Sequence, residues 1–407
     1  MKKKIIIASL LLIANSAISQ TFTSYTIADG LVSDNVLDVC VAADGNVWFG
    51  TQLGVSEYDG TTWTTYDQVN YAGMAGDNIL SIFIDNVGDT WIGTDFGTSV
   101  FNGTTWTTYT TVDGLDNNKV QCINEDGFGN MWFGTINGLS KFDGTTWTTF
   151  GSADGLPFGG VNSITIDSDN DVWLGTGLGG VAIYDGTNFS EITETDGLIS
   201  NKIRAIAFAP NGQKWVGTTD GVTVLDNSNS YLTNYTAVYT LPAPDTLNPI
   251  EDIKIASDGL VWAGVYVDYL VTEGGVCAYN GSQWFEFDVS DGIAGPVIRA
   301  LDIAPNDEVW VATSTGVTKI NEHTLNIDQE KENIEFNVYP NPVTANLKIE
   351  LVESGMNEVE IFSITMKKLM TIQKPYGVSS MNINVSDLEA GIYVVKVGNA
   401  KQKIIKM

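Results

Sequence analysis

Acid–base or nucleophilic chemistry in this chain would proceed almost without imidazole. His323 is the one histidine in 407 residues, so a Ser-His-Asp relay or a histidine-ligated zinc lacks its residue. Carboxylates are abundant instead, with 49 Asp and Glu against 20 Lys and Arg. Two carboxyls at a suitable separation would serve a glycoside hydrolase, but among so many acids no particular pair stands out. Oxygen-rich turns suit calcium, and Asp34, Asp77, Asp167 and Asp169 are the candidate ligands. A site for recognition is the other possibility. Tyr239, Tyr266 and Tyr269 occur near Asp245 and Asp268, and such rings beside carboxylates suit a sugar or peptide, the ring stacking while polar groups fix orientation. Arg204 and Arg299 are candidates for a polar ligand. No glycine-rich phosphate loop appears. Cys40, Cys122 and Cys277 are widely spaced in apolar runs, which reads as buried thiols rather than a disulfide framework.

These residues are positioned by an internal repeat. A strand-Trp-Gly pattern recurs at Trp48, Trp91, Trp132, Trp173, Trp215, Trp262 and Trp310, at spacings of 43, 41, 41, 42, 47 and 48. Periods in the low forties with short alternating runs and Asp-Gly or Asn-Gly turns define four-stranded propeller blades. The first unit divides into NVLDVCVA, NVWFGT, VSEYDG and TWTTYD, strands A to D. The twelfth and ninth residues before each Trp are apolar throughout; the seventh is apolar except at Glu125. The last unit lacks a D strand, and Phe22 to Tyr25 supplies one, closing the ring and removing open edges.

The expected architecture is therefore all-β: a seven-bladed β-propeller closed by an N-terminal strand, followed by a small C-terminal β-sandwich. Propeller topology puts the D–A and B–C loops on one face. There the two longest, around Tyr239 to Asn248 and Tyr266 to Glu273, should form a raised lip, unless they are insertions packed on themselves. The residue fourteen before each Trp (Asp34, Asp77, Asn118, Gly159, Asn201, Asn248, Pro296) gives a partial polar ring on that face, for a cation or for capping turns. Asp167 to Asp171 on the opposite face lack the length and closing Glu of a calcium loop.

Both ends of the chain differ from its middle. Lys2 to Lys4, the apolar Ile5 to Ala14 and Ala17-Ile18-Ser19 form a signal peptide over residues 1–19. The propeller is expected over 20–328, an acidic linker over 329–334 and the C-terminal domain over 335–407. Residues 21–333 hold 42 acidic and 9 basic side chains, a net of −33, whereas 334–407 hold 7 and 8. That field disfavours nucleic acid and anionic membranes, and no later stretch is apolar enough to span a bilayer. The mature chain is expected to be soluble.

The run DGL, an apolar A strand, NVWFGT, GVSEYDG and TTW resembles the two-component-regulator propeller repeat of extracytoplasmic sensors and exported Bacteroidota proteins. The sensor's membrane span and kinase have no counterpart here. The repeat is also similar to that of streptogramin lyases, whose mechanism implies a histidine. FNVYPNPV (Phe336 to Val343), LKIEL, VEIFSITMKKL, LEAGIYVVKV and the basic KQKIIKM resemble the type A sorting domain of type IX secretion, although Met366 replaces a frequent glycine. The resemblance implies a partner, the type IX secretion machinery, and a destination at the cell surface or in the medium. Three functions stay open: a non-enzymatic module for a glycan or peptide ligand, a protein-interaction scaffold, and a carboxylate-based polysaccharide enzyme. No cofactor is expected beyond calcium.

Overall fold

The computed structural model describes residues 20–241, 248–268, 272–321, 336–351, 358–363, 368–373, 380–386, 388, 391–397 and 400–407. The expected leader, His323 and the linker 329–334 lie outside them. Seven four-stranded antiparallel sheets make up the propeller. Blade one comprises strands Val36–Val41, Val47–Thr51, Gly54–Tyr58 and Trp63–Tyr66. Blade seven takes its A to C strands from Ile298–Ile303, Val309–Thr313 and Gly316–Asn321 and its D strand from Thr21–Tyr25, with Thr21 opposite Asn321 and Tyr25 opposite Val317. The A strands follow one another around the axis in chain order, and that of blade seven lies beside that of blade one. Among the described residues no helix is long and apolar enough to cross a membrane.

The Trp-x-Gly signature has a packing cause. All seven repeat tryptophans are buried, and in six blades the glycine two residues on, replaced by Ala312 in blade seven, lets the next blade's A strand approach. A Cβ on Gly50 would stand 2.8 Å from Ile79 Cγ2, and one on Gly134 would stand 2.8 Å from Val161 Cγ1. Apolar clusters accordingly span neighbouring blades: Trp48, Val55 and Tyr66 pack with Ile79, Ile92, Phe101 and Trp106, while Val36 and Phe49 pack with Trp310 and Val317 across the ring closure. The Asp-Gly turns work as expected. Gly60 has φ 94°, and Asp59 Oδ1 accepts from the Thr61 and Thr62 N–H groups at 2.8 and 2.7 Å.

One feature recurs in every blade without any residue type that announces it. The A strand carries a β-bulge between the twelfth and tenth residues before the Trp, as between Val36 and Asp38 or Ile298 and Ala300. The eleventh residue is thereby left out of the ladder beside the axis.

The chain divides into two compact units, residues 1–324 and 325–407. In the second, a three-stranded sheet (Phe336–Tyr339, Asn346–Leu351, Ser380–Asn384) and a four-stranded sheet (Lys368–Gln373, Glu358–Ser363, Gly391–Val397, Ala400–Lys406) share a core of Leu347, Ile349, Val359, Ile361, Tyr393 and Val395. Alternation in LKIEL and in GIYVVKV places those side chains on inner faces.

Candidate binding face and axial channel

The inner strands enclose an axial cavity of about 470 Å³. Its mouth lies at the D–A end of the A strands, where the bulge residues stand: Leu37, Leu80, Gln121, Asn162, Arg204, Glu251 and Arg299. Arg204 Nη1 donates to Glu251 Oε2 at 2.7 Å, and the Arg299 guanidinium lies 5.5 Å from the Tyr266 ring centre. Burial raises the Glu251 carboxyl above its ordinary range, and Arg204 and Arg299 oppose that rise. Four cations (Lys119, Lys202, Arg204, Arg299) stand eleven or thirteen residues before a repeat Trp, at the rim of this opening. They are half of the eight cations described in the propeller, so this strongly acidic domain gathers its cations at the mouth, where Lys119 pairs with Asp95 at 3.1 Å and Arg204 with Glu251.

Deeper in, the channel turns acidic. Asp38 accepts from the Val39 and Ile82 N–H groups at 2.9 and 2.7 Å. Asp252 accepts from Ile253 and Leu301 N–H at 2.8 and 2.9 Å, and Asp302 accepts from Val41 N–H at 2.7 Å. Lys254 lies 3.9 Å from Asp302, and its pKa is raised, chiefly by the Asp252 charge. Burial pushes Asp38 up to about 7 and raises Asp252 as well. Each carboxylate thus ties one blade to the next. On the other side neutral groups do this work: Asn124 Nδ2 donates to Ile164 O at 2.9 Å, Asn162 Nδ2 to Ile203 O at 2.9 Å and Thr165 Oγ1 to Ile206 O at 2.8 Å.

The structure sorts the residues singled out from the sequence. Arg204, Arg299 and Tyr266 come together at the mouth. Tyr239 does not join them as a presented ring: it is buried, its hydroxyl donates to Gly274 O at 3.1 Å and its ring lies against Gly275. It anchors the long D–A loop on blade six, correcting the reading of it as a ligand contact. Asp268 ends strand Val261–Asp268, with Thr272 opposite; Asp245 and Tyr269 lie outside the described residues. Five members of the polar ring clamp their own loops. Asp34 Oδ1 accepts from Ile27 N–H and Asp77 Oδ1 from Gln68 N–H, both at 2.7 Å. Asn118, Asn201 and Asn248 do the same in their loops. Asp167 holds its own turn, accepting from Asp169 and Asp171 N–H and from the Trp173 indole at 2.9 Å; Asp169 is an exposed member of that turn. Among the described residues no group of three His, Cys, Asp or Glu side chains is arranged to hold a metal ion.

Glu251, Gln121, Asn162 and Lys202 complete the mouth and were missed. The signal was available as the eleventh residue before each Trp, but only the bulge gives that position its meaning. The cysteines are free thiols; Cys277 is buried, while Cys40 and Cys122 are half-buried in the channel wall.

Residues 337–407 match the secretion system C-terminal sorting domain. Residues 30–52, 114–137 and 155–177 match the two component regulator propeller. The chain thus carries propeller repeats of that kind ahead of a sorting domain addressed to the secretion machinery, and its destination is the cell surface or medium. Among solved structures it is similar to the extracellular domain of the hybrid two component system BT3049 from B. thetaiotaomicron, with 18% identity and TM-score 0.64 over 95% of this chain and 57% of that one. It is also similar to PorZ, a surface component of the type-IX secretion system of Porphyromonas gingivalis, with 18% identity and TM-score 0.58 over 92% of this chain and 60% of that one. Virginiamycin B lyase from Staphylococcus aureus gives 13% identity and TM-score 0.54 over 74% of this chain and 99% of the lyase. The chain therefore spans about three fifths of the first two. At such identities the likeness is one of fold. No curated protein matches the chain.

Proposed function

We propose that this exported chain is a non-enzymatic binding propeller that takes a glycan or peptide ligand at the channel mouth on its loop face. The observation that carries this reading is the gathering of Lys202, Arg204 and Arg299 around Glu251, with Tyr266 beside Arg299, at the opening of a concave polar cavity of about 470 Å³ in an otherwise acidic domain. Concavity with a few convergent polar groups is what small-ligand recognition needs. The channel acids that would otherwise suggest catalysis are engaged by backbone N–H groups, which leaves them poorly placed to move a proton on a ligand. The sorting domain would bring this face outside the cell.

The test uses the mature chain and an Arg204→Gln/Arg299→Gln variant, which removes both guanidinium charges and keeps polar amides at the mouth, on glycan and peptide arrays. Binding by the wild type that falls at least about tenfold in the variant, with unchanged melting, is the expected result. Equal binding by both proteins, or none on either array, overturns the reading.

A further inference from the structure

Nine of the thirteen exposed large apolar side chains described in the propeller lie in D–A loops or B–C turns, on the face of the channel mouth. Three of them stand on adjoining loops. Phe158, Leu178 and Ile136 are 79%, 54% and 45% exposed, and the pair Gly159-Gly160 packs between them: a Cβ on Gly159 would stand 2.7 Å from Leu178 N, and one on Gly160 would stand 2.7 Å from Ile136 O. Both glycines have positive φ, 122° and 72°. In five other loops the position of Gly159 holds an Asp or Asn that clamps its own loop. Blade four has replaced the clamp with a glycine and set an exposed phenylalanine before it. A local departure from a repeat rule that places a large apolar ring in water is a mark of interaction rather than of stability.

The cluster also borders the mouth. Gly177, next to Leu178, accepts close contact from Gly159 O and lines a cavity of about 400 Å³ with Asn162, Lys202, Arg204 and Glu251. Apolar surface therefore borders a cavity that holds two cations, Lys202 and Arg204, against one acid, Glu251. We infer that the Ile136, Phe158 and Leu178 patch docks a protein segment whose apolar side chains are followed, within a few residues, by a carboxylate that reaches Lys202 and Arg204. The inference rests on the channel mouth being a binding site and names its ligand class. Aliphatic Ile and Leu beside one Phe fit apolar side chains better than a sugar face, which needs flat rings and dense hydrogen bonding. The net charge of −33 on residues 21–333 opposes an anionic lipid surface.

The experiment probes the mature chain on an array of synthetic hexapeptides printed in matched pairs, free carboxylate against C-terminal amide, with a glycan array alongside. Expected binders carry Leu, Ile, Phe or Val next to a carboxylate, and each weakens at least about tenfold as the amide. Phe158→Ser, a substitution at an exposed loop tip, weakens them by a similar factor without shifting the melting temperature. Arg204→Gln weakens the carboxylate form and leaves the amide form unchanged. Glycan binding that depends on Arg204 and Arg299 but is indifferent to Phe158→Ser overturns this inference and leaves the mouth as a binding site. Peptide binding indifferent both to the terminal charge and to Phe158 overturns it as well. No binding to either array removes both readings.

Discussion

Inside the channel, blades three and four and blades six and seven solve the same structural problem with opposite chemistry. In the channel, blades three and four stitch themselves to their successors with amide and hydroxyl donors, Asn124, Asn162 and Thr165, aimed at backbone carbonyls. Blades six and seven use carboxylate acceptors aimed at backbone N–H groups, and blade one continues the series with Asp38. Above the channel the division falls differently: Leu53, Phe96, Ile136 and Leu178 are exposed in the B–C turns of blades one to four, whereas Asp220 and Thr315 lie in those of blades five and seven. A near-identical backbone repeat therefore leaves the inner and loop-tip positions free to differ. The neutral side lines the channel with uncharged donors, and the charged side concentrates its ionised groups.

The sharpest way to break the comparison is to remove the cation on which the charged half depends. Lys254→Met keeps the stem but leaves Asp38, Asp252 and Asp302 facing one another, each still holding its backbone N–H groups. Uncompensated buried charge costs about 3–5 kcal/mol. Channel water reaches Lys254, whose side chain is 39% exposed, so the expected loss is nearer about 1–3 kcal/mol. Urea denaturation of the mature chain measures it. A loss no larger than that of a neutral stitch would mean that the two halves are energetically alike.

A smaller effect separates the halves by pH. Burial, reinforced by the Asp252 charge, holds the Asp38 carboxyl up at about 7, while Ile82 and Val39 N–H and Lys254 pull the other way. The unfolded value is about 4, so the folded state binds this proton more tightly. Its stabilising contribution is complete below about pH 4 and is lost as pH rises through 7. From pH 5 to pH 8 the propeller should lose about 2–4 °C of melting temperature through this group. Asp38→Asn, which retains one oxygen for the Ile82 N–H, should flatten that slope. An unchanged slope in the variant would assign the titration elsewhere.

Much of this molecule can be read from its residues, for reasons that also mark where reading stops. The Trp spacing and the apolar ninth and twelfth positions specify blades because each strand's inward residues must fill the space between neighbouring sheets, and Phe22 to Tyr25 is recognisable as a displaced D strand by its match to the others. Glu125 looked like a lapse in the pattern; its carboxylate accepts from Asn86 N–H at 2.7 Å and joins blade three to blade two. The site was less legible. Arg204, Arg299 and Tyr266 were picked out, but Glu251 and Asn162 acquire their role from a bulge that no residue type signals. Tyr239 misled because ring and loop length look the same whether the hydroxyl meets a ligand or Gly274. Phe158 went unremarked because one exposed apolar residue is ordinary until its neighbours across two other loops are known.

The smallest predicted effect tests the neutral half directly. Asn124→Ala removes one donor to Ile164 O and leaves a carbonyl facing channel water rather than a dry core. A hydrogen bond of this kind contributes about 1 kcal/mol net, and water can replace part of it. Asn124→Asp is the more telling change, because it substitutes an acceptor for the donor opposite a carbonyl while adding the kind of charge that blades one, six and seven tolerate. One carboxylate oxygen would keep the Glu125 N–H that Asn124 Oδ1 now holds at 2.8 Å, but the other would face the Ile164 carbonyl and be repelled, so a loss about twice that of the alanine variant is expected in urea denaturation. Equal losses would show that charge alone, irrespective of the backbone group it faces, is acceptable anywhere in the channel, and the division between the halves would then be one of ligand selection rather than of construction.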